Sequence, residues 1–479
     1  MTVINQLAEW AAEVPAQWSE VALARAEHAV EDVVACMVAG AGDEAAARVR
    51  AAIAAWGQGV STVVGQRAGA TPPYAALANG TAAHALDYDD IFRPGITHAA
   101  AVLFPALLAL AEEIDASGAA LLDAYVVGLE VQAAVGRGVN RSHYDQGWHA
   151  TSTVGCIGAA AACARLLGLD AARLAHAISL SVSMACGPKV QFGTMAKPFH
   201  AGLAAQHAVM AATLANSGLQ GRATALEGAL GFLALYGGPE PHGWEQVLTG
   251  LGKKLAIEDA GIIFKRHPCC GSSHLVLDCI LDLRREHGFD ADEVVRVDAL
   301  IGSGNKRNLM YDEPQNEMQA RFSLQYCVAV ALLKGHLSLA DFTPKAVMRP
   351  AVRRLLKLTH VHTYDPVDEP SDPDAPMAHR VKIMLKDGRE LCAERAHTRG
   401  SIYEPFDEDD RLRKFDDCCN SMLGMEDVAA LRNLVRRLRD LDSLRGIGTH
   451  LRAEAATDAG ERFKRAPRGT DTASAVARL

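Results

Sequence analysis

From the N-terminus to about residue 263 the chain offers one apolar helical segment after another, several of them apolar on every face. A helix with no polar face has to be surrounded by other helices, so this half of the chain must form a layered helical core. Segments near 20–40, 44–56, 72–87, 98–115, 119–137, 152–167, 171–186, 198–217 and 223–228 read this way. Gly168, Gly187 and Gly218 fall where helix stops belong. Hydrophobic residues make up 49% of the chain but aromatics only 5%, so the helices meet through Ala, Leu, Val and Gly and can approach closely. No fixed-period repeat is evident, which argues against a solenoid.

The pattern changes after Phe264. A helix is expected from Ser273 to His287, capped by Ser272 or Ser273. Strand-like runs follow at Glu293–Gly302, Leu358–Tyr364, Arg380–Lys386 and Arg389–His397, with Asp387-Gly388 as a hairpin signal between the last two. Helices near 317–334 and 344–357 lie among them, and the acidic, Pro-rich stretch 365–376 reads as a loop. At 479 residues the chain exceeds the size at which a single core stops growing. The expected architecture is mainly α. It comprises a large all-helical domain over 1–263, completed by C-terminal helices at 405–450, and a smaller α+β domain over 264–404. The polar tail 453–479 is expected to be disordered.

A net charge of −9 and a sequence pI near 6.1 argue against nucleic acid as a partner, because phosphate neutralisation needs clustered Lys and Arg. No run of about 18 consecutive apolar residues marks a membrane span. The amphipathic, acidic N-terminus does not read as a signal peptide. A cytoplasmic protein is therefore expected. The 11 cysteines are scattered through apparent helices without a C-x-x-C, so neither a metal nor an iron–sulfur cofactor is expected.

The chemistry concentrates in a stretch that opens at Asn79-Gly80. It continues through His84 and the cluster Asp87-Tyr88-Asp89-Asp90, and ends at Thr97-His98 before an apolar run. Thr97 is the expected N-cap of that helix, which places His98 in the first turn, where free amides and the helix dipole favour an anion. The construction recurs: His149 precedes one apolar helix and Lys197 another. Each of these groups should have a lowered pKa unless an anion offsets the dipole. Phe264-Lys265-Arg266-His267-Pro268-Cys269-Cys270, with His274 following, lies at the expected domain junction, a usual place for a small-ligand site. His200 and His207 share a helix face; His200 is the candidate to line the site, and His207 reads as a core histidine.

These segments, together with Gly128-Leu129-Glu130-Val131, Lys197-Pro198-Phe199-His200, Leu226-Glu227-Gly228 and Ala320-Arg321-Phe322-Ser323-Leu324-Gln325-Tyr326, make the chain similar to the MmgE/PrpD family. That family includes 2-methylcitrate dehydratases, cis-aconitate decarboxylases and iminodisuccinate epimerases. The resemblance extends from about residue 5 to 440. It implies an all-helical domain with an α+β lid, usually as a homodimer, and no metal or organic cofactor. It also implies a small polycarboxylate substrate. The family's pocket maps onto Asp87, His98, His149, Lys197 and Lys265, with His200, Cys270, His274 and Tyr311 as candidate substrate-binding residues. The two lysines are natural clamps for carboxylates. The two histidines are candidates for base and acid, Asp87 for an orienting group or a base, and Cys270 for a weak acid or pocket wall. Ile91 stands where decarboxylases and dehydratases usually carry Thr, and Cys270 where decarboxylases carry a catalytic His. The expected activity is therefore a hydro-lyase of the 2-methylcitrate dehydratase type, with an epimerase, a decarboxylase and a non-catalytic polyanion binder as alternatives in that order.

Overall fold

The computed structural model describes residues 1–370, 377–420 and 422–452. The tail at 453–479 and residues 371–376 of the Pro-rich loop lie outside the described residues. The structure is mainly α. Ten helices open the chain: α1 (Val3–Glu13), α2 (Glu20–Gly40), α3 (Glu44–Ile53), α4 (Pro72–His84), α5 (Ala100–Ile114), α6 (Gly118–Val139), α7 (Ser142–Gln146), α8 (Ala150–Leu166), α9 (Ala171–Val182) and α10 (Ala196–Asn216). The helices free of a polar face are central, as their composition requires: every residue from Ala100 to Glu112 in α5 and from Ala150 to Ala164 in α8 is buried. By length and composition α6 could cross a membrane, but 83% of its most apolar window is buried inside the protein, where Glu130 accepts a hydrogen bond from Ala256 N at 2.6 Å.

Small residues set the helix spacing. A Cβ on Gly80 of α4 would stand 2.8 Å from Gly202 Cα of α10, so these two helices touch backbone to backbone. The contact brings the last turn of α4, with His84, beside the first turn of α10, with Lys197.

The expected helix at 223–228 does not form. Residues 223–230 are turns, Gly228 has φ +82°, and the next helix is the short Phe232–Tyr236. Gly221, Gly228 and Gly231 leave too few helix-forming residues between them to nucleate one.

A second hydrophobic core surrounds a four-stranded sheet. Besides the isolated β1 (Gln58–Ser61), the strands are β2 (Val294–Ile301), β3 (Thr359–Thr363), β4 (His379–Leu385) and β5 (Glu390–Arg395), in the order β3-β2-β4-β5. β2 pairs parallel with β3 (Val297 opposite Thr359) and antiparallel with β4 (Val297 opposite Ile383). β4 and β5 form the Asp387-Gly388 hairpin, with Gly388 at φ +85°. Helices His274–His287 and Leu324–Lys334 cover the sheet through Val276, Ile280, Leu283 and Val328. The helical stretch expected at 317–334 is interrupted at Arg321–Ser323, because the Ser323 side chain accepts from Tyr326 N and starts a new helix. The C-terminal helices Glu408–Cys419, Met425–Arg436 and Arg445–Leu451 pack into the first core through Phe415, Leu431 and Ile447.

Candidate active site

The segment from His84 to Asp90 leaves the end of α4 and is buried along most of its length. Asp87 is 4% exposed and takes a left-handed conformation, φ +52°, which a non-glycine residue holds only when its surroundings enforce it. Lys197 Nζ lies 2.5 Å from Asp87 Oδ1 and 2.9 Å from His84 Nε2. Lys265 Nζ donates to Asp87 O at 2.7 Å and stands 3.2 Å from Asp87 Oδ2, an oxygen without an aligned hydrogen bond. Burial alone would push the Asp87 carboxyl up, but the two ammonium groups win and hold it well below the usual carboxylate range. Burial likewise pulls Lys265 down, and Asp87 and Asp89 more than reverse it.

The imidazoles are ordered by their hydrogen bonds. His84 Nδ1 donates to Asp89 at 2.8 Å while its Nε2 accepts from Lys197, which fixes a neutral tautomer. His98 Nδ1 donates to Asp90 O at 2.7 Å, leaving Nε2 with a lone pair and no protein partner among the described residues. The His98 side chain is 17% exposed, so that nitrogen is reachable. Burial, opposed by Asp89, holds the His98 pKa well below the ordinary histidine value. His149 Nδ1 meets His200 Nδ1 at 3.2 Å, and His149 Nε2 is buried without a partner. Burial and the nearby Lys197 depress His149 strongly, and burial takes His200 down to about 4. The His84 ring stands 4.4 Å from that of His98 and 5.7 Å from that of His149, so the imidazoles form one group.

Two local expectations are corrected. Thr97 is not the N-cap of α5: its hydroxyl donates to Gln132 Oε1 at 2.5 Å. Asp90 takes that role from nine residues upstream, accepting from Ala99 N at 3.2 Å and Ala100 N at 3.0 Å. His98 therefore precedes the helix, outside its first turn, and its own amide donates to Thr151 Oγ1. Lys197 does sit in the first turn of α10, and His149 is the residue that precedes α8. The anion opposite the α10 terminus is Asp87.

The structure thus brings together Asp87, His98, His149, Lys197, Lys265 and His200. The buried Cys270 follows Lys265 by five residues and donates its amide to Arg321 O; burial and Asp87 push its thiol up. Tyr311 reaches the site's rim, its hydroxyl donating to Phe192 O at 3.3 Å. His274 is turned elsewhere, toward Cys269 O at 3.2 Å and the ring of His267 at 5.0 Å. His84, Asp89, Phe192 and Phe322 join the site without a role read from the sequence. The rings of Phe192 and Phe322 each stand 5.2 Å from Lys197 Nζ. A histidine followed by three acids within six residues was the available signal for His84 and Asp89; nothing local marks the phenylalanines.

The ligand atoms of His84, Asp87, Asp89 and His98 lie within 4.8 Å of one another, close enough to surround a cation. Lys197 Nζ already stands between Asp87 and His84, so two of the four donors face an ammonium group. A cleft of about 1020 Å³ lies beside this cluster and is lined by Ile91, Asn140, Arg141, Leu275, Arg307 and His379 among others. Ile91 belongs to both regions. It follows Asp90, and its Cδ1 is so close to Gly271 that a Cβ there would stand 2.3 Å away.

At the meeting of α4, α8 and α10 this mainly helical fold buries two ammonium groups against one carboxylate and beside several imidazoles. Residues 5–245 match the MmgE/PrpD N-terminal domain and residues 267–440 the MmgE/PrpD C-terminal domain. The chain belongs to the MmgE/PrpD family. It is 32% identical over 404 residues to the cis-aconitate decarboxylase of Homo sapiens, covering 82% of each chain. It is 33% identical over 395 residues to that of Mus musculus, covering 80% of this chain and 79% of the relative. A cis-aconitate decarboxylase-like protein of Aspergillus oryzae, oryM, is 27% identical over 462 residues, covering 91% and 94%. The human and mouse relatives are decarboxylases, which are lyases.

Proposed function

We propose that the protein is a cofactor-independent lyase that removes a proton next to a carboxylate of a small di- or tricarboxylate and eliminates water. The observation that carries this reading is His98, whose Nδ1 is held by Asp90 O and whose Nε2 is reachable, neutral and next to two buried ammonium groups. A proton beside a carboxylate is a weak acid, and its removal needs positive charge where the enolate-like dianion develops. Lys197 and Lys265 supply that charge. The proton passes to His98 Nε2 as the C–H bond breaks. The electron pair forms the double bond as the C–O bond breaks, and the departing hydroxyl takes a proton to leave as water. With His200 donating to His149 Nδ1, His149 Nε2 carries a hydrogen and is the candidate donor.

Decarboxylation is the second reading, favoured by the names and identities of the human and mouse relatives. Cys270 and Ile91 weigh against it, because a neutral thiol and an alkyl group stand where that chemistry would use an imidazole and a hydroxyl. Epimerisation would need proton transfer at both faces of one carbon, for which His98 and His149 are the available pair. The sheet-containing unit acts as a lid in this reading, over a cluster in which Asp87, Lys197 and Lys265 are buried. The same reading makes the protein a cytoplasmic homodimer without nucleic-acid or membrane partners.

The test is incubation with hydroxylated di- and tricarboxylates and cis-aconitate in deuterated water, followed by NMR. Solvent exchange with a new olefin supports dehydration, release of carbon dioxide supports decarboxylation, and exchange without an olefin supports epimerisation. No exchange and no conversion with any acid sinks the reading.

A further inference from the structure

Three backbone carbonyls of the segment that carries Asp87 are held by side chains from three other places in the chain. Asp87 O accepts from Lys265 and Asp90 O from His98, both groups of the pocket. Tyr88 O accepts from Lys414 Nζ at 2.8 Å, and Lys414 lies 326 residues further on, in the C-terminal helix Glu408–Cys419. Lys414 is 4% exposed and pairs at 2.6 Å with Asp32 Oδ1 on α2. Its ammonium also stands 4.4 Å from the centroid of the Tyr88 ring, whose hydroxyl donates to Arg266 O, next to Lys265. A buried Lys–Asp pair seldom adds net stability over an apolar pair of the same volume, so its place under this segment calls for another role.

We infer that Lys414, oriented by Asp32, is a positioning residue that sets the backbone of residues 87–89 so that Asp87 faces Lys197 and Lys265. The left-handed conformation of Asp87 needs such an external hold, and Lys414 supplies it one residue away. The helices that follow the sheet-containing unit would thereby contribute to the pocket without touching a substrate.

The test uses the full chain with Asp32→Asn and Lys414→Met together, which removes both charges and leaves neither unpaired, and with Lys414→Arg alone. Amide hydrogen exchange read by mass spectrometry reports the segment directly and does not depend on knowing the substrate. The expected result is faster exchange in peptides covering 87–100, with peptides from α8 and α10 unchanged. For the acid that proves active, kcat should fall about 10- to 100-fold with KM within about threefold, the size expected of a misplaced reacting group. Lys414→Arg should restore part of both. Unchanged exchange in 87–100, loosening that spreads equally through α8 and α10, or local loosening with kcat retained would each overturn the inference. The kinetic arm rests on the proposed lyase activity. If the wild type converts none of the acids, that activity fails and the exchange pattern alone decides the role of Lys414.

Discussion

Asp87 and Lys197, 110 residues apart, meet with 2.5 Å between carboxylate and ammonium inside a site where both side chains are 5% exposed. Their meeting depends on α4 and α10 touching at Gly80 and Gly202, so pocket and packing are one construction.

Lys197→Ala should therefore cost both activity and stability. Losing a donor aimed at developing negative charge lowers kcat by about 10²- to 10³-fold. Breaking a buried ion pair typically costs about 3–5 kcal/mol, and the lower end applies because Lys265 still faces Asp87. Steady-state kinetics and urea denaturation measure the two effects; near-normal values in both would remove the clamp role.

Replacing His98 by Gln should keep much of its shape and remove proton transfer. A drop in kcat of about 10²- to 10⁴-fold with little change in KM is expected, together with loss of exchange of the substrate's α-proton with solvent. If exchange continues at the wild-type rate, the base is another group, and His149 is next in line.

Acid should unfold the protein early. Burial depresses His84, His98 and His149 from 6.5, and takes His143, His200 and His379 to about 4. A histidine with a folded pKa below its unfolded value contributes stability that is complete above 6.5. That stability is lost as the pH falls toward 4, because the unfolded chain takes up protons the folded one refuses. A fully buried group such as His143 accounts for on the order of 3 kcal/mol. Melting temperatures between pH 7 and 4.5 should fall steeply; a flat profile would mean that these imidazoles are protonated in the folded state.

Cys270→His in an Ile91→Thr background should raise carbon dioxide release from cis-aconitate by about 10²-fold, the lower end of what a placed acid–base group contributes. Manometry or NMR of the product reads the change. No gain would mean that these two positions do not separate the family's reactions.

Gly202→Ala should destabilise the protein by about 1–3 kcal/mol, because the added methyl would stand 2.2 Å from Leu77 O and 2.3 Å from Thr81 Oγ1. Chemical denaturation measures it, and an unchanged midpoint would show that α4 and α10 can separate freely.

Much of this was legible in the sequence. The helices reveal themselves because an unbroken apolar face leaves no alternative to burial, and the hairpin because Asp387-Gly388 suits its turn. The site residues at helix openings were marked by lone imidazoles and a lysine against apolar runs. What the sequence hid was partnership across distance. Thr97 has the composition of a cap, yet Asp90 caps α5 because the segment folds back on the helix. His84 reads as one residue within the 72–87 helix, and only the approach of α10 shows that its ring receives the Lys197 ammonium. His274 shares a motif with Lys265, but bends and a 3-10 turn lie between the two, and its ring faces Cys269 O instead.

Asp87 gives the pocket an occupant of its own. Its carboxylate is tethered beside both lysines by the chain, so holding it there costs no freedom of translation. A visiting monocarboxylate must give up that freedom and can offer only the same single charge. It loses the exchange. An acid that presents two or three carboxylates at once can engage the ammonium groups and still hold other contacts, which tips the balance toward entry. On the proposed lyase reading, selection for polyvalent acids would be set by an internal rival, and shortening or neutralising that rival should broaden the range of anions admitted even as it weakens the chemistry.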